Sequence, residues 1–220
     1  MATAISRLFS AADLERISAA VHDAEKRTSG EIVPYVVEQC DDYEFAEWRG
    51  GALLALLSAI VLMFLHSYTA VWLPIDLSGK LLAVLLAFGT GMLLVKYVPG
   101  LKRILAGSAA MERRLHQRAS EAFVAEEVFL TRDRTGILLF LSLLERRVLV
   151  LGDAGINQKV KQEEWQDVVA TVISGIRSGS PVDGLVNAIQ KCGALLERSG
   201  VSIRADDRDE LSDTLRMKDR

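Results

Sequence analysis

The sequence holds 220 residues and is short of several things that would point to a function. It has only two cysteines, Cys40 and Cys192, far apart and in no CxxC pattern, so a disulfide framework and a zinc site of ordinary ligand spacing are both excluded. Histidine is equally scarce: His22, His66 and His116 fall in unrelated stretches, and no nucleophile, histidine and acid arrangement can be built from them. No block of Lys or Arg occurs, and the net charge is −3. Electrostatic capture of nucleic acid, which needs clustered cations to displace counterions, therefore has nothing to rest on. The first ten residues carry one basic side chain, Arg7, and no apolar h-region, so no secretory signal is expected.

What the chain does have is apolar residues in excess: half of it is hydrophobic while a quarter is charged. That excess is concentrated. Residues 50–75 contain no Asp, Glu, Lys or Arg, and Gly51 to Leu65 is apolar but for Ser58, long enough for a helix to span a bilayer. A second run, Leu81 to Val95, reaches only about 22 Å at roughly 1.5 Å per residue. Lys80 and Lys96 flank it and can snorkel, which extends the usable span. Trp48, Tyr68, Trp72 and Tyr97 lie near the four ends, where amphipathic rings suit the headgroup region. The two runs together predict a transmembrane hairpin over residues 48–100. Lys96, Lys102, Arg103, Arg113, Arg114 and Arg118 follow the second span, whereas the connection between the spans offers only Lys80, so both termini are expected in the cytoplasm. Neither span carries a charge at mid-depth, which disfavours transport.

The flanking segments read as one interrupted domain. Ser10-Ala-Ala-Asp13 has the form of a capping box, and Leu14, Ile17, Val21 and Ala24 then recur at helical spacing up to Thr28-Ser29-Gly30. Glu31 to Glu38 is rich in β-branched residues and predicts a strand, with Pro34 suggesting an edge or a bulge. A lone strand is not stable, so it must pair with strands beyond the hairpin, which makes the hairpin an insertion. Beyond it, residues 108–128 predict a helix with Met111, Leu115, Ala119, Ala122 and Phe123 on one face. Residues 137–144 and 147–151 predict two strands joined at Glu145-Arg146. Two helices follow, one with Trp165, Val168, Val169, Val172 and Ile176 inward and one with Val182, Leu185, Val186, Ile189 and Leu196 inward, separated by Ser178-Gly-Ser-Pro181. The expected organisation is residues 1–47 and 101–199 as the two parts of one α/β domain, 48–100 as the hairpin, and 200–220 as a disordered polar tail.

Gly30-Glu-Ile32, Thr131 to Gly136, Glu145-Arg-Arg147, Gly152-Asp-Ala-Gly-Ile156, Trp165 and the stretch from Gly184-Leu185 to Leu195 occur in an order and spacing that resembles the TPM domain. The resemblance covers most of residues 10–198. It is strongest to a cytoplasm-facing bacterial subgroup with a membrane insertion after the first strand. It implies an α/β, TPM-like three-layer sandwich with a small central sheet flanked by helices. Relatives of that family look like acid phosphatases, bind calcium or other divalent ions, or in plants assist photosystem repair. Two departures stand out: Lys161-Gln162 falls where secreted relatives carry an aspartate, and Val148 to Leu151 is apolar on both faces, which predicts a sheet covered on both sides.

The candidate site lies at Gly152 to Asn157. It lacks the third glycine of a dinucleotide loop and the Lys of a P-loop, so nucleotide binding is not expected. Asp133 precedes one strand of the predicted hairpin and Asp153 follows the other, which places both at one sheet edge. There they are candidate carboxylate ligands for calcium or magnesium, with Glu31 or Asp41-Asp42 as further donors. The competing reading is that Asp133 is a turn residue and Asp153 a helix cap. Arg113, Arg114 and Arg118 are candidates for anionic headgroups. The functional expectation is a partner-binding or membrane-protein maintenance module anchored in the inner membrane, its partners the lipid bilayer and a protein. The alternative is a divalent-metal-dependent acid phosphatase using Asp133 and Asp153.

Overall fold

The computed structural model describes residues 8–68, 76–203 and 210–218. Trp72 and part of the tail lie outside those residues. Two compact units are present, one of residues 1–40 with 113–220 and one of residues 41–112.

The first unit is built on a four-stranded sheet in the order β3-β2-β1-β4. Strand β1 (Glu31–Val37) pairs in parallel with β2 (Gly136–Ser142), Glu31 opposite Gly136 and Val37 opposite Ser142. The hairpin partner β3 (Arg147–Gly152) runs antiparallel to β2. Every residue of β1 and β2 is buried, as expected of strands covered on both faces. On one face Ile32, Val36, Ile137, Leu139 and Leu141 pack into a core with α1 (Ala11–Glu25), α7 (Gln166–Arg177) and α8 (Pro181–Arg198). On the other face Val33, Tyr35, Val37, Leu138 and Phe140 meet Leu115, Ala119 and Ala122 of α5 (Ser108–Ala125), with the Tyr35 and Phe140 rings stacked at 5.5 Å. The sheet is thus sandwiched between helices.

Local signals agree with the packing. Asp13 N–H donates to Ser10 Oγ at 3.2 Å and Ser10 N–H donates back to Asp13 Oδ2 at 3.0 Å, a complete capping box at the start of α1. Pro34 sits in an internal strand rather than at an edge. Strand β4 pairs only with Tyr35 to Val37, however, so on that side no ladder bond is asked of the proline.

The tail corrects the expectation of disorder over residues 200–220. Strand β4 (Arg216–Lys218) pairs in parallel with β1, Val201 and Leu215 are buried, and Thr28 Oγ1 donates to Val201 O at 2.7 Å. Residues 204–209 lie outside the described residues. The physical reason is that the anchors are remote in sequence: the Glu31 carboxylate accepts the N–H groups of Glu210 and Leu211, each at 3.3 Å, and Arg216 Nε donates to Glu126 Oε2 at 3.3 Å. Local composition does not reveal such partners.

In the second unit, α2 (Glu44–Tyr68) and α3 (Leu77–Tyr97) are long and apolar enough to cross a membrane. They pack through glycines: a Cβ on Gly91 would come within 2.5 Å of Gly50 O. Their outer surfaces carry exposed Leu53, Leu57, Ile60, Met63, Leu82, Leu85 and Leu93. A short helix, α4 (Pro99–Ala106), follows directly.

If β1 and β2 hold the first unit together, replacing residues 42–106 with a flexible Gly/Ser linker leaves a soluble protein that unfolds in one cooperative transition by circular dichroism. Removing residues 1–40 from that variant should abolish the transition, because a central strand is lost. Unchanged melting without residues 1–40 would contradict the interrupted-domain architecture.

Candidate functional site

The corner containing Asp133 and Asp153 is assembled by the turn before β2 and the loop after β3. Thr135 N–H donates to Thr131 Oγ1 at 2.8 Å and Arg134 N–H to Thr131 O at 3.1 Å, closing the turn. Arg134 itself takes a left-handed backbone at φ +58°. The loop after β3 docks on this turn: Asp153 N–H donates to Gly136 O and Gly155 N–H to Arg134 O, both at 2.9 Å. Gly155 has to be glycine here, since a Cβ would collide with Asp133 O.

Asp153, at 6% exposure, begins the short helix α6 (Ala154–Asn157) and accepts Ala154 N–H at 2.7 Å. Its two carboxylate oxygens also receive Arg134 side on, from Nε at 2.5 Å and Nη2 at 2.9 Å. That bidentate pairing pushes the Arg134 guanidinium's pKa further up. The same guanidinium lies 5.9 Å from the Phe129 ring centroid.

This arrangement decides what the corner can do. A phosphate cradle needs several free backbone N–H groups, and those of Asp153, Ala154 and Gly155 are all committed within the protein. A calcium or magnesium ion needs carboxylate oxygens facing an open space, and a cation, Arg134, already occupies both oxygens of Asp153. Asp133 is an exposed turn residue with interactions of its own. Glu31, a proposed extra donor, holds the Glu210 and Leu211 amides, and Asp41 accepts Asp42 N–H at 2.7 Å in the other unit. The donor set therefore does not fit a divalent ion, and among the described residues no group of three or more His, Cys, Asp or Glu is gathered to hold one. The geometry at Asp153 is that of a helix cap joined to an ion pair.

Sequence reasoning missed a second polar centre at the opposite end of β2. Glu145, which the sequence places in the turn between the two strands, is only 4% exposed. Its Oε1 accepts Cys40 N–H at 2.9 Å, and its Oε2 accepts the Ser142 hydroxyl. A charged residue between Leu144 and Arg146 carries no local signal of this. Burial, aided by the nearby Glu145 charge, pushes the Cys40 thiol up to about 12. A thiol held that high is not a nucleophile at neutral pH, so the centre is structural. The imidazoles are equally dispersed: His22 Nδ1 lies 3.3 Å from Asp213 Oδ2, His66 lies beside Lys80 in the other unit, and His116 is on α5.

Fold and site together define a mixed α/β protein with a small four-stranded sheet and two apolar helices of membrane length. No family model matches the chain, and no curated protein matches it. Among solved structures it is similar to the NMR structure of the BA42 protein from the psychrophilic bacterium Bizionia argentinensis. The sequences are 20% identical, the TM-score is 0.58, and 96% of this chain and 95% of that one are covered. At that identity the likeness concerns the fold alone.

Two measurements check the corner. Calcium or magnesium at millimolar concentration should leave the melting temperature unchanged; a rise that Asp133→Asn and Asp153→Asn each abolish would establish an ion site there. Asp153→Ala should cost about 1–2 kcal/mol as a lost cap. In a double-mutant cycle with Arg134→Ala the coupling should be small beside the loss of the cap, because the guanidinium is more than half exposed.

Proposed function

We propose that the chain is a membrane-anchored TPM-like module of the bacterial inner membrane, with two spans and both termini cytoplasmic, that binds a partner protein. One observation carries the membrane reading: α2 and α3 leave apolar side chains outward all round. Leu56, Leu57, Met63, Leu85 and Leu86 are each more than half exposed, and water is a poor solvent for such a surface. The excess of Lys and Arg after the second span supports the orientation. The helix-covered sheet and the order of the Gly30, Thr131, Gly152 and Trp165 motifs support the TPM relation. A binding role is favoured over the phosphatase because Asp153 is committed to Arg134 and to its own helix.

In a cysteine-free background, Leu77→Cys, at the first residue of α3, and Asp23→Cys, on α1, test the topology in intact cells with a membrane-impermeant maleimide. Only position 77 should label. Labelling of position 23 would overturn the cytoplasmic assignment, and recovery of the protein in the soluble fraction would overturn the membrane reading. Purified full-length protein should show no turnover of p-nitrophenyl phosphate. Turnover that depends on Asp133 and Asp153 would replace the binding role with the phosphatase.

A further inference from the structure

Helix α4 is not needed to cross a bilayer, yet it begins one residue after α3 ends, with Pro99 in its first turn. Its polar side is tied inward. Lys102 is buried, 3.2 Å from Glu47 Oε1 and donating to Asp42 O at 3.1 Å, and Arg49 Nη1 donates to Leu105 O at 2.8 Å, holding the last turn. These bonds fix α4 against the start of α2 and decide which side it presents outward. That side is apolar: Ile104 is 75% exposed, and Leu101 and Val98 are exposed beside it. Leu101, Ile104 and Leu105 also close an apolar groove of about 260 Å³ whose other walls are Gly50, Leu53, Leu94 and Val95 of the two long helices. Trp48, at 60%, and Tyr97, at 74%, are exposed at the same ends of those helices, and Lys96 stands exposed between Val95 and Tyr97.

We infer that α4 is an in-plane interfacial helix, with the Val98, Leu101 and Ile104 side seated in the headgroup and acyl boundary of the cytoplasmic leaflet and an acyl chain filling the groove beneath it. The occupant is lipid because the groove is continuous with the outward apolar surface of α2 and α3. Trp48 near the start of α2 and Tyr97 at the end of α3 are both exposed, as suits amphipathic rings near a headgroup region, and Lys96 complements an anionic phosphate there. A helix facing water on that side would instead turn the Lys102 ammonium outward and Ile104 in. The helix gives the second unit a third membrane contact besides its two spans.

This inference rests on the membrane reading, so its test separates the two. Nitroxide labels at Leu57→Cys, Ile104→Cys and Asp23→Cys, in a cysteine-free background, are read in nanodiscs of phosphatidylethanolamine and phosphatidylglycerol by their accessibility to oxygen and to a water-soluble nickel chelate. Position 57 should favour oxygen most, position 104 should favour oxygen over nickel at a shallower depth, and position 23 should favour nickel. A lipid-exposed position 57 with a nickel-accessible position 104 overturns the interfacial helix and leaves the membrane reading standing. Low accessibility of position 104 to both reagents assigns that face to protein, such as a second copy, and also overturns it. Nickel access at position 57 removes both.

Discussion

The parallel pairing of β1 with β2 is the constraint on which the rest of the first unit depends. Parallel strands cannot be joined by a tight turn, so some crossover is obligatory, and in most α/β folds one packed helix supplies it. Here the chain between Val37 and Gly136 includes both apolar helices, α4 and α5 before it returns. Because β1 is internal and buried along its whole length, its backbone groups have to be paired, and β2, β4 over Tyr35 to Val37, and the Glu25 carboxylate at Ile32 N–H supply partners. The two cores on opposite faces of the sheet both draw on these strands, alternate residues going to each. Losing the register between Glu31 and Gly136 would swap those sets and empty both cores at once.

The buried carboxylates follow from the same architecture. Strands that run in parallel leave backbone groups to be satisfied where they begin and end, and three nearly buried acids sit at such places. Glu31 holds the incoming tail, Asp153 starts the helix after β3, and Glu145 secures the segment after β1 through Cys40 N–H. Burying a carboxylate is unfavourable unless hydrogen bonds or an opposite charge replace its water. Each of these acids has them. Acidic residues flanking strands look alike in a sequence whether they await an ion or hold an amide; only their partners tell the two apart.

That distinction marks where the sequence was legible. Features with a local period or a local partner were read correctly: the Ser10 and Asp13 box, the β-branched strand at 31–37, the hairpin across Glu145-Arg146, and the long apolar helices. So was the covering of the sheet on both sides, since Val148 to Leu151 lacks a polar alternation. Features held by distant partners were not. The β4 strand is a three-residue piece in a charged tail and is ordered by contacts with β1 and Glu126. Arg134 belongs with them. Nothing in its neighbourhood announced that its left-handed backbone would aim the guanidinium at a residue 19 positions away. Half of the candidate corner, the cap, was thus within reach of sequence reasoning, and the ion pair that settles its chemistry was not.

The proposed membrane placement also accounts for the distribution of apolar surface between the two units. Burying a leucine side chain is worth roughly 1.5–3 kcal/mol, and the first unit uses its leucines that way, with Leu138, Leu139, Leu141, Leu185 and Leu196 all inaccessible. The second unit leaves a comparable set outward while holding its helices together through Gly50, Gly51 and Gly91, residues that bring backbones close without burying large side chains. In water that would be the wrong way round, since the apolar groups would gain most by facing each other. In a hydrocarbon solvent side chains lose nothing by facing outward, and close backbone packing becomes the source of association. Under the proposed placement the glycine contact and the exposed leucines are two expressions of one solvent.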